Sequence, residues 1–278
     1  MNCSATGLLA GLAIGIVAAP TPVLAGISAE TPAEAAMAAA PMAHEVADTG
    51  GPRVNAHYVR LDGYLAGLPD NAARLQQLRS AAEACVATQR AAGHPLHQPA
   101  QWPAYANGMR TDTYATAGST VVYQWHIAYA IDATDCRLLT NTSFSASLTW
   151  PGGTCAVDFN AGTATPGCAD APATVSVAPA APRRGMAARS TASAVRKTIL
   201  GIDCVVRPAP LMVGTVCQSL GGSFVAAHVQ RFDQYGMTLE MDTEIGPRLH
   251  AVAARLDAEV SAAVFQPYRN LRSAVPAK

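Results

Sequence analysis

An α+β fold is predicted for this chain: a largely antiparallel, twisted β-sheet, disulfide-stapled, with two amphipathic helices, one before it and one after. Three observations predict it. Segments within 120–160 and 197–217 alternate apolar with small or polar residues, the period of strands buried on one face. Two other runs repeat apolar residues at three and four positions, the stripe of a half-buried helix. Two cysteine pairs share one spacing, with twelve residues between Cys155 and Cys168 and twelve between Cys204 and Cys217.

The bulk composition narrows the function classes. With 278 residues the chain is long enough to bury a sizeable core. Net charge is zero and charged residues make up 14 %, so no basic excess is present to offset phosphate, and nucleic acid is not expected as a partner. Alanine inflates the hydrophobic fraction while aromatics are 6 %, which confines the expected core to a few aromatic and β-branched runs.

Residues 1–25 read as a signal peptide. The apolar run LLAGLAIGIVAA at 8–19 is too short to span a bilayer, Pro20 and Pro22 break it, and Val23-Leu24-Ala25 offers a small-residue cleavage site, with Ala29 as a second. The preceding MNCSATG carries no Lys or Arg. A periplasmic or secreted location is expected, with no transmembrane span in the mature chain. Loss of Cys3 with the signal leaves six of the seven cysteines, an even number suited to an oxidising compartment. The equal spacing suggests two hairpin staples, Cys155 with Cys168 and Cys204 with Cys217, and leaves Cys85 with Cys136 by elimination. Six thiols allow 15 pairings, of which this is one. Each ring of about 14 residues would contribute ~3 kcal/mol through loop entropy. No C-x-x-C or H-x-x-x-H pair accompanies the thiols, so neither a metal nor another cofactor is expected.

Residues 26–56, rich in Ala, Pro, Glu and Thr, show no apolar period and read as a flexible lead-in. A single domain is expected over 57–270, with a mobile Ala/Pro-rich loop at 169–195 that includes Arg183, Arg184 and Arg189. Tyr58–Leu68 reads as a short strand or turn. The first helix runs from about Asp70, an N-cap, to Ala92, with Leu75, Leu78, Ala82, Cys85 and Val86 as its stripe and Gly93 and Pro95 as its stop. Thr120–Asp132 is the best strand, with Val121, Tyr123, Trp125, Ile127 and Tyr129 on one face. Strands from Cys136 and over Thr154–Asn160 extend it into a meander. In Lys197–His228 two strands are joined by a turn at Pro208 and Pro210, and a Gly221–Gly222 bend leads to a third. Met237–Thr243 is another strand. Pro247 then opens the second helix, to about Val264, on the stripe Leu249, Val252, Leu256 and Val260.

Catalytic signals are weak. His94 and His97 flank Pro95-Leu96 with no acid or thiol at ligand spacing, and His250 lies beside a helical stripe. His126, on the less apolar face of its strand, and His228 would serve an exported hydrolase only with an unassigned serine. No G-x-S-x-G, H-E-x-x-H, P-loop or dinucleotide-binding pattern occurs. Asp132 with Asp135, and Glu240 with Asp242, sit where acids face water, and Asp158 and Asp203 read as hydrogen-bonded strand acids. No catalytic residue is assigned. The aromatic stripe Tyr123, Trp125 and Tyr129 is the one candidate binding surface, either core or the concave face of an open sheet.

Thr198-Ile199-Leu200-Gly201-Ile202-Asp203-Cys204, the returning Val216-Cys217 and the ending Val260-x4-Phe265-x-Pro267-Tyr268 resemble uncharacterised proteobacterial envelope proteins. Those proteins are similar to the LolA-type open β-sheet with a helix in its concavity, a fold associated with carrying lipid or lipoprotein. The resemblance covers residues 196–270. This chain departs from it in its extra cysteines and its Ala/Pro loop, and no functional residue carries over. The expectation is a non-catalytic exported protein that binds an apolar small molecule, a lipid or an envelope protein. The alternatives are the hydrolase above and a structural envelope component.

Overall fold

A computed structural model of the chain describes residues 31–47, 51–172, 195–209, 212–223 and 236–270. The signal segment, His228 and most of the Ala/Pro-rich loop lie outside the described residues. The strands are β1 Arg53–Ala66, β2 Asn107–Ala115, β3 Thr120–Ile131, β4 Leu138–Trp150, β5 Gly153–Asp158, β6 Thr163–Ala164, β7 Arg196–Ile199, β8 Ile202–Pro208, β9 Gly214–Ser219, β10 Thr238–Thr243 and β11 Gly246–Ser261. They form one 11-stranded sheet in the order β6-β5-β4-β3-β2-β1-β11-β10-β9-β8-β7. Every neighbouring pair is antiparallel. The first and last strands therefore meet at the centre, and two meandering arms extend from them.

Buried side chains form two clusters, one on each face of the central pair. β1 supplies Val54 and Ala56, with Tyr58 against them, to the first cluster, and Val59 and Leu61 to the second. Successive strand residues point to opposite faces, so the even positions serve one core and the odd positions the other. β2 divides likewise, with Tyr114 in the first cluster and Met109 and Ala115 in the second. The first core is completed by Val121, Tyr123, Leu148, Val157 and Phe159 from the β3–β5 arm and by Val264 and Phe265 after β11. The second is completed by Cys204, Cys217, Met237 and Leu239 from the other arm.

Three disulfides join Cys85 to Cys136, Cys155 to Cys168 and Cys204 to Cys217. These are the pairs the spacing suggests, with two differences of detail. Cys168 lies in a 3-10 turn (Pro166–Asp170) that folds over β5, so Cys155 is stapled to a turn and not across a two-stranded hairpin. Cys204 and Cys217 sit diagonally, because Cys204 opposes Ser219 and Cys217 opposes Val206.

Three expectations need correction. The run from Pro247 onward is a strand, β11, and not a helix. Its 16 residues pair along almost the whole of β1, with register shifts at Ala56/Tyr58 and at Arg60/Leu61. Those shifts skip residues of β11, so its inward positions Leu249, Ala251, Ala254 and Leu256 are spaced two, three and two. That interrupted alternation, in an Ala-rich run, imitates a helical stripe. Second, residues 31–47 of the presumed flexible lead-in form α1 (Pro32–Ala39) and α2 (Ala43–Val46), and Arg53 already belongs to β1. Third, the strand read through Leu200 is a hairpin of β7 and β8, turning at Leu200 and Gly201 with φ of 51° and 77°. That is the left-handed pair a two-residue hairpin turn requires, supplied here by only one glycine.

The remaining helix is α3, Asn71–Ala91, capped by Asp70, whose carboxylate accepts the Ala73 N–H at 2.9 Å. Only Ala82 and Val86 of α3 are buried. The Cys85–Cys136 bond ties the helix to the turn between β3 and β4. None of the helices among the described residues is long and apolar enough to cross a membrane.

Candidate functional site

The site is built from two of the four Arg-x-Asp tripeptides in the chain, Arg60-Leu61-Asp62 in β1 and Arg110-Thr111-Asp112 in β2; the others begin at Arg231 and Arg255. The antiparallel register sets Arg60 opposite Asp112 and Asp62 opposite Arg110. Alternation puts all four charges on one face, with opposite signs along and across the strands. The side chains of Arg110 and Asp112 are 0 % exposed. Arg110 Nε donates to Asp112 Oδ1 at 2.9 Å and Nη2 donates to Oδ2, a bidentate pair. Arg60 Nε lies 3.3 Å from Asp62 Oδ1.

On β3 the same face carries Trp125 opposite Arg110 and Tyr123 opposite Asp112. The Arg110 guanidinium lies 4.4 Å from the centre of the Trp125 ring, a cation–π contact. An aromatic tier continues across the arm, with Trp125 stacked on Phe144 at 4.3 Å and Phe144 on Phe159 at 4.2 Å. Tyr114 meets Tyr123 edge-on, and the His44 ring lies 4.6 Å from that of Tyr58.

Residues 31–47 lie over this face. Arg110 Nη1 donates to the carbonyls of Met37 (2.7 Å) and Ala40 (2.6 Å), Nη2 to that of Pro41 (3.4 Å), and Arg60 Nη2 to that of Ala38. Two arginines thus receive the carbonyl-rich C-terminal end of α1, where the helix dipole is negative. At the other end the buried Glu34 carboxylate accepts the N–H groups of Thr31 (2.9 Å), Ala104 (3.1 Å) and Tyr105 (3.2 Å). The hydroxyls of Thr31 and Tyr129 are 2.6 Å apart. Tyr114 Oη accepts the His44 N–H at 3.3 Å and lies 2.8 Å from His44 Nδ1.

Burial governs the electrostatics. It raises the Asp112 carboxyl above its ordinary value, against the opposing hydrogen bonds and charge of Arg110. It also pushes the Tyr114 and Tyr123 phenols upward and takes Tyr129 up to about 12. His44 is lowered by burial, with Glu45 and Asp112 acting the other way. At neutral pH the phenols keep their protons, so the face presents neutral rings and hydroxyls beside the Arg110–Asp112 pair.

The sequence-predicted residues fall around this face. Tyr123 is core, and its hydroxyl donates to the Val264 carbonyl at 2.6 Å. Trp125 and Tyr129 are half-buried beneath or beside residues 31–47. His126 points to the opposite face, opposite Ser143, and burial lowers its pKa. Asp158 accepts the N–H groups of Asn160 and Ala161 in a turn, and Asp203 accepts the Thr198 hydroxyl at 2.7 Å. His94 bonds Gln89, and His97 lies 3.6 Å from Asp135. No cluster of three or more metal-ligating side chains occurs among the described residues. Sequence reasoning missed Arg60, Asp62, Arg110 and Asp112. The R-x-D pattern occurs four times in the chain and could not single them out; the β1–β2 register does.

A concavity of about 630 Å³ lies elsewhere, at Leu200–Asp203, Leu220, Gly221 and Ala254–Leu256. Beside it, Asp257 sits at a β11 bulge with φ of 54°, and its backbone N–H donates to Nδ1 of the buried His57 at 3.0 Å. The Ser223 hydroxyl and N–H both donate to the Asp257 carboxylate. Burial opposes ionisation of Asp257, yet the Ser223 bonds, with a further bond from Asn55, hold its carboxyl below the ordinary value. The serine is bonded to the carboxylate and the histidine to a backbone amide. That is not the relay in which an imidazole takes a hydroxyl proton.

Fold and site together define an open antiparallel sheet protein with a charged and aromatic face covered by its own N-terminal helices. No family model, curated protein or solved structure matches the chain.

Proposed function

We propose that this chain is an exported, non-catalytic binding protein that takes an apolar ligand onto the aromatic face of β2–β4. The observation that carries the reading is the closure of that face. Trp125 and Tyr129 are half-buried on β3, which α1 packs against with no second sheet, and Phe144 is stacked between Trp125 and Phe159. Small-molecule sites are mostly apolar with a few placed polar groups, and this face has that make-up, with rings around one buried ion pair. Three disulfides support export, because such bonds persist in oxidising compartments. Native mass spectrometry of the full chain, purified without detergent and compared before and after organic extraction, tests it. A removable mass in the range of a lipid or smaller apolar molecule is expected. A ligand-free spectrum, with no uptake from a lipid extract, overturns it.

A further inference from the structure

We propose that the C-terminal end of α1 occupies the head-group position of an amphiphile with an anionic head, which enters by displacing residues 31–47 from Arg60 and Arg110. The inference rests on the binding function above and names its ligand class.

The donors left on Arg110 after Asp112 has taken Nε and one arm of the guanidinium are those that meet Met37, Ala40 and Pro41. With Ala38 on Arg60, four carbonyl oxygens converge on two guanidinium groups. A carboxylate or phosphate presents two or three oxygens bearing formal charge to the same donors. The carbonyl bonds are already charge-assisted through the guanidinium donor; an anionic acceptor adds a full opposite charge and the bidentate geometry that the guanidinium fork matches. The quartet of Arg60, Asp62, Arg110 and Asp112 has no net charge, so selection acts at contact and not through long-range attraction. The rings of Trp125, Phe144 and Tyr58 lie alongside, where an alkyl chain would follow the head.

The covering segment is built to leave. It precedes β1 and pairs with no strand, so its departure breaks no ladder. Among its side chains only Thr31, Glu34 and Met42 are buried, and Met42 alone of these is apolar. One such side chain contributes roughly 1.5–3 kcal/mol; half-buried Ala43 and Ala47 against the first core and the His44 ring on Tyr58 add to it, and the other anchors are polar contacts that water or a ligand can replace. α1 has eight residues, short of the roughly 12–15 at which isolated helices become even marginal, so it folds only while docked. Docked and released forms are thus two discrete states, and ligand affinity is reduced by the fraction of time the face is covered.

Isothermal titration of the delipidated full chain with dodecanoate, dodecyl phosphate and uncharged monododecanoyl glycerol, each below its micellar concentration, tests this. The two anionic probes are expected to bind about tenfold or more tighter than the glycerol ester, as charge-assisted contacts require. Glu34→Ala, which loosens the segment without touching either arginine, is expected to tighten both anionic probes about tenfold. Thr31→Ala is a milder second release variant should the first fold poorly. Arg60→Gln is expected to weaken the anionic probes about tenfold and leave the ester unchanged. Equal affinity for all three probes overturns the head-group assignment and leaves apolar binding standing. Unchanged affinity in a folded release variant overturns the displacement. No binding of any probe to any variant overturns the binding function on which both rest.

Discussion

Arg110 and Asp112 show how an ionic pair is kept in a largely apolar core. Desolvating two charges costs several kcal/mol each and is repaid only when every remaining donor and acceptor is matched. Here Asp112 takes two guanidinium donors, three backbone carbonyls take the others, and Trp125 covers the plane. His44 ties the covering segment to the same face and makes its docking depend on pH. Burial holds the His44 pKa below its ordinary 6.5. The unfolded or released segment therefore binds the proton more readily, so the docking contribution is fully present above that value and is lost as pH falls beneath it. We expect acrylamide quenching of tryptophan fluorescence to rise between about pH 7.5 and about pH 5.5, spanning the histidine titration, and His44→Asn to flatten that rise. A rise that persists unchanged in His44→Asn, yet vanishes in His126→Asn, would assign the effect to His126, whose pKa burial also lowers.

At the scale of elements, α3 and β11 make an instructive pair. The cap Asp70, the stripe through Val86 and the stop at Gly93 were all legible, because helix boundaries depend on neighbours in the chain. β11 was not, because its Ala-rich run has good helix propensity and its bulges disturb the alternation. Only pairing with β1 over most of 16 residues overrides that local preference. α3 in turn has little apolar anchorage, so its position depends on Cys85–Cys136. The 51-residue separation of that bond corresponds to about 4 kcal/mol of loop entropy, against about 3 for each shorter ring. In Cys85→Ala/Cys136→Ala we expect amide-exchange protection to fall throughout 71–91 while β1 and β11 stay protected. Protection retained in α3 would mean that Ala82 and Val86 suffice to hold it.

Across the whole molecule, the β1–β11 pair is shared by both cores, which should make the two arms unfold together. Phe265, 1 % exposed in the first core, is the test. Phe265→Ala is expected to cost about 3–5 kcal/mol and to lower the urea midpoint in a single transition, coincident by tryptophan fluorescence and by circular dichroism. Two separated transitions would show that the faces fold independently. The sheet also ends in short strands, β6 of two residues and β7 of four, which leaves little unpaired edge for another chain to extend.

The amino-acid sequence by itself determined the strand-rich class, the capped helix α3 and the β3–β5 meander, and its equal spacings suggested the Cys155–Cys168 and Cys204–Cys217 pairs. Each of these rests on periodicity or spacing within a short stretch. Tertiary structure alone decided that the first and last strands are neighbours, that cores lie on both faces, and that two R-x-D tripeptides form one charged square beneath α1. The reason is register: which residues oppose one another across strands 180 to 208 positions apart is a property of the assembled sheet, and no local pattern carries it.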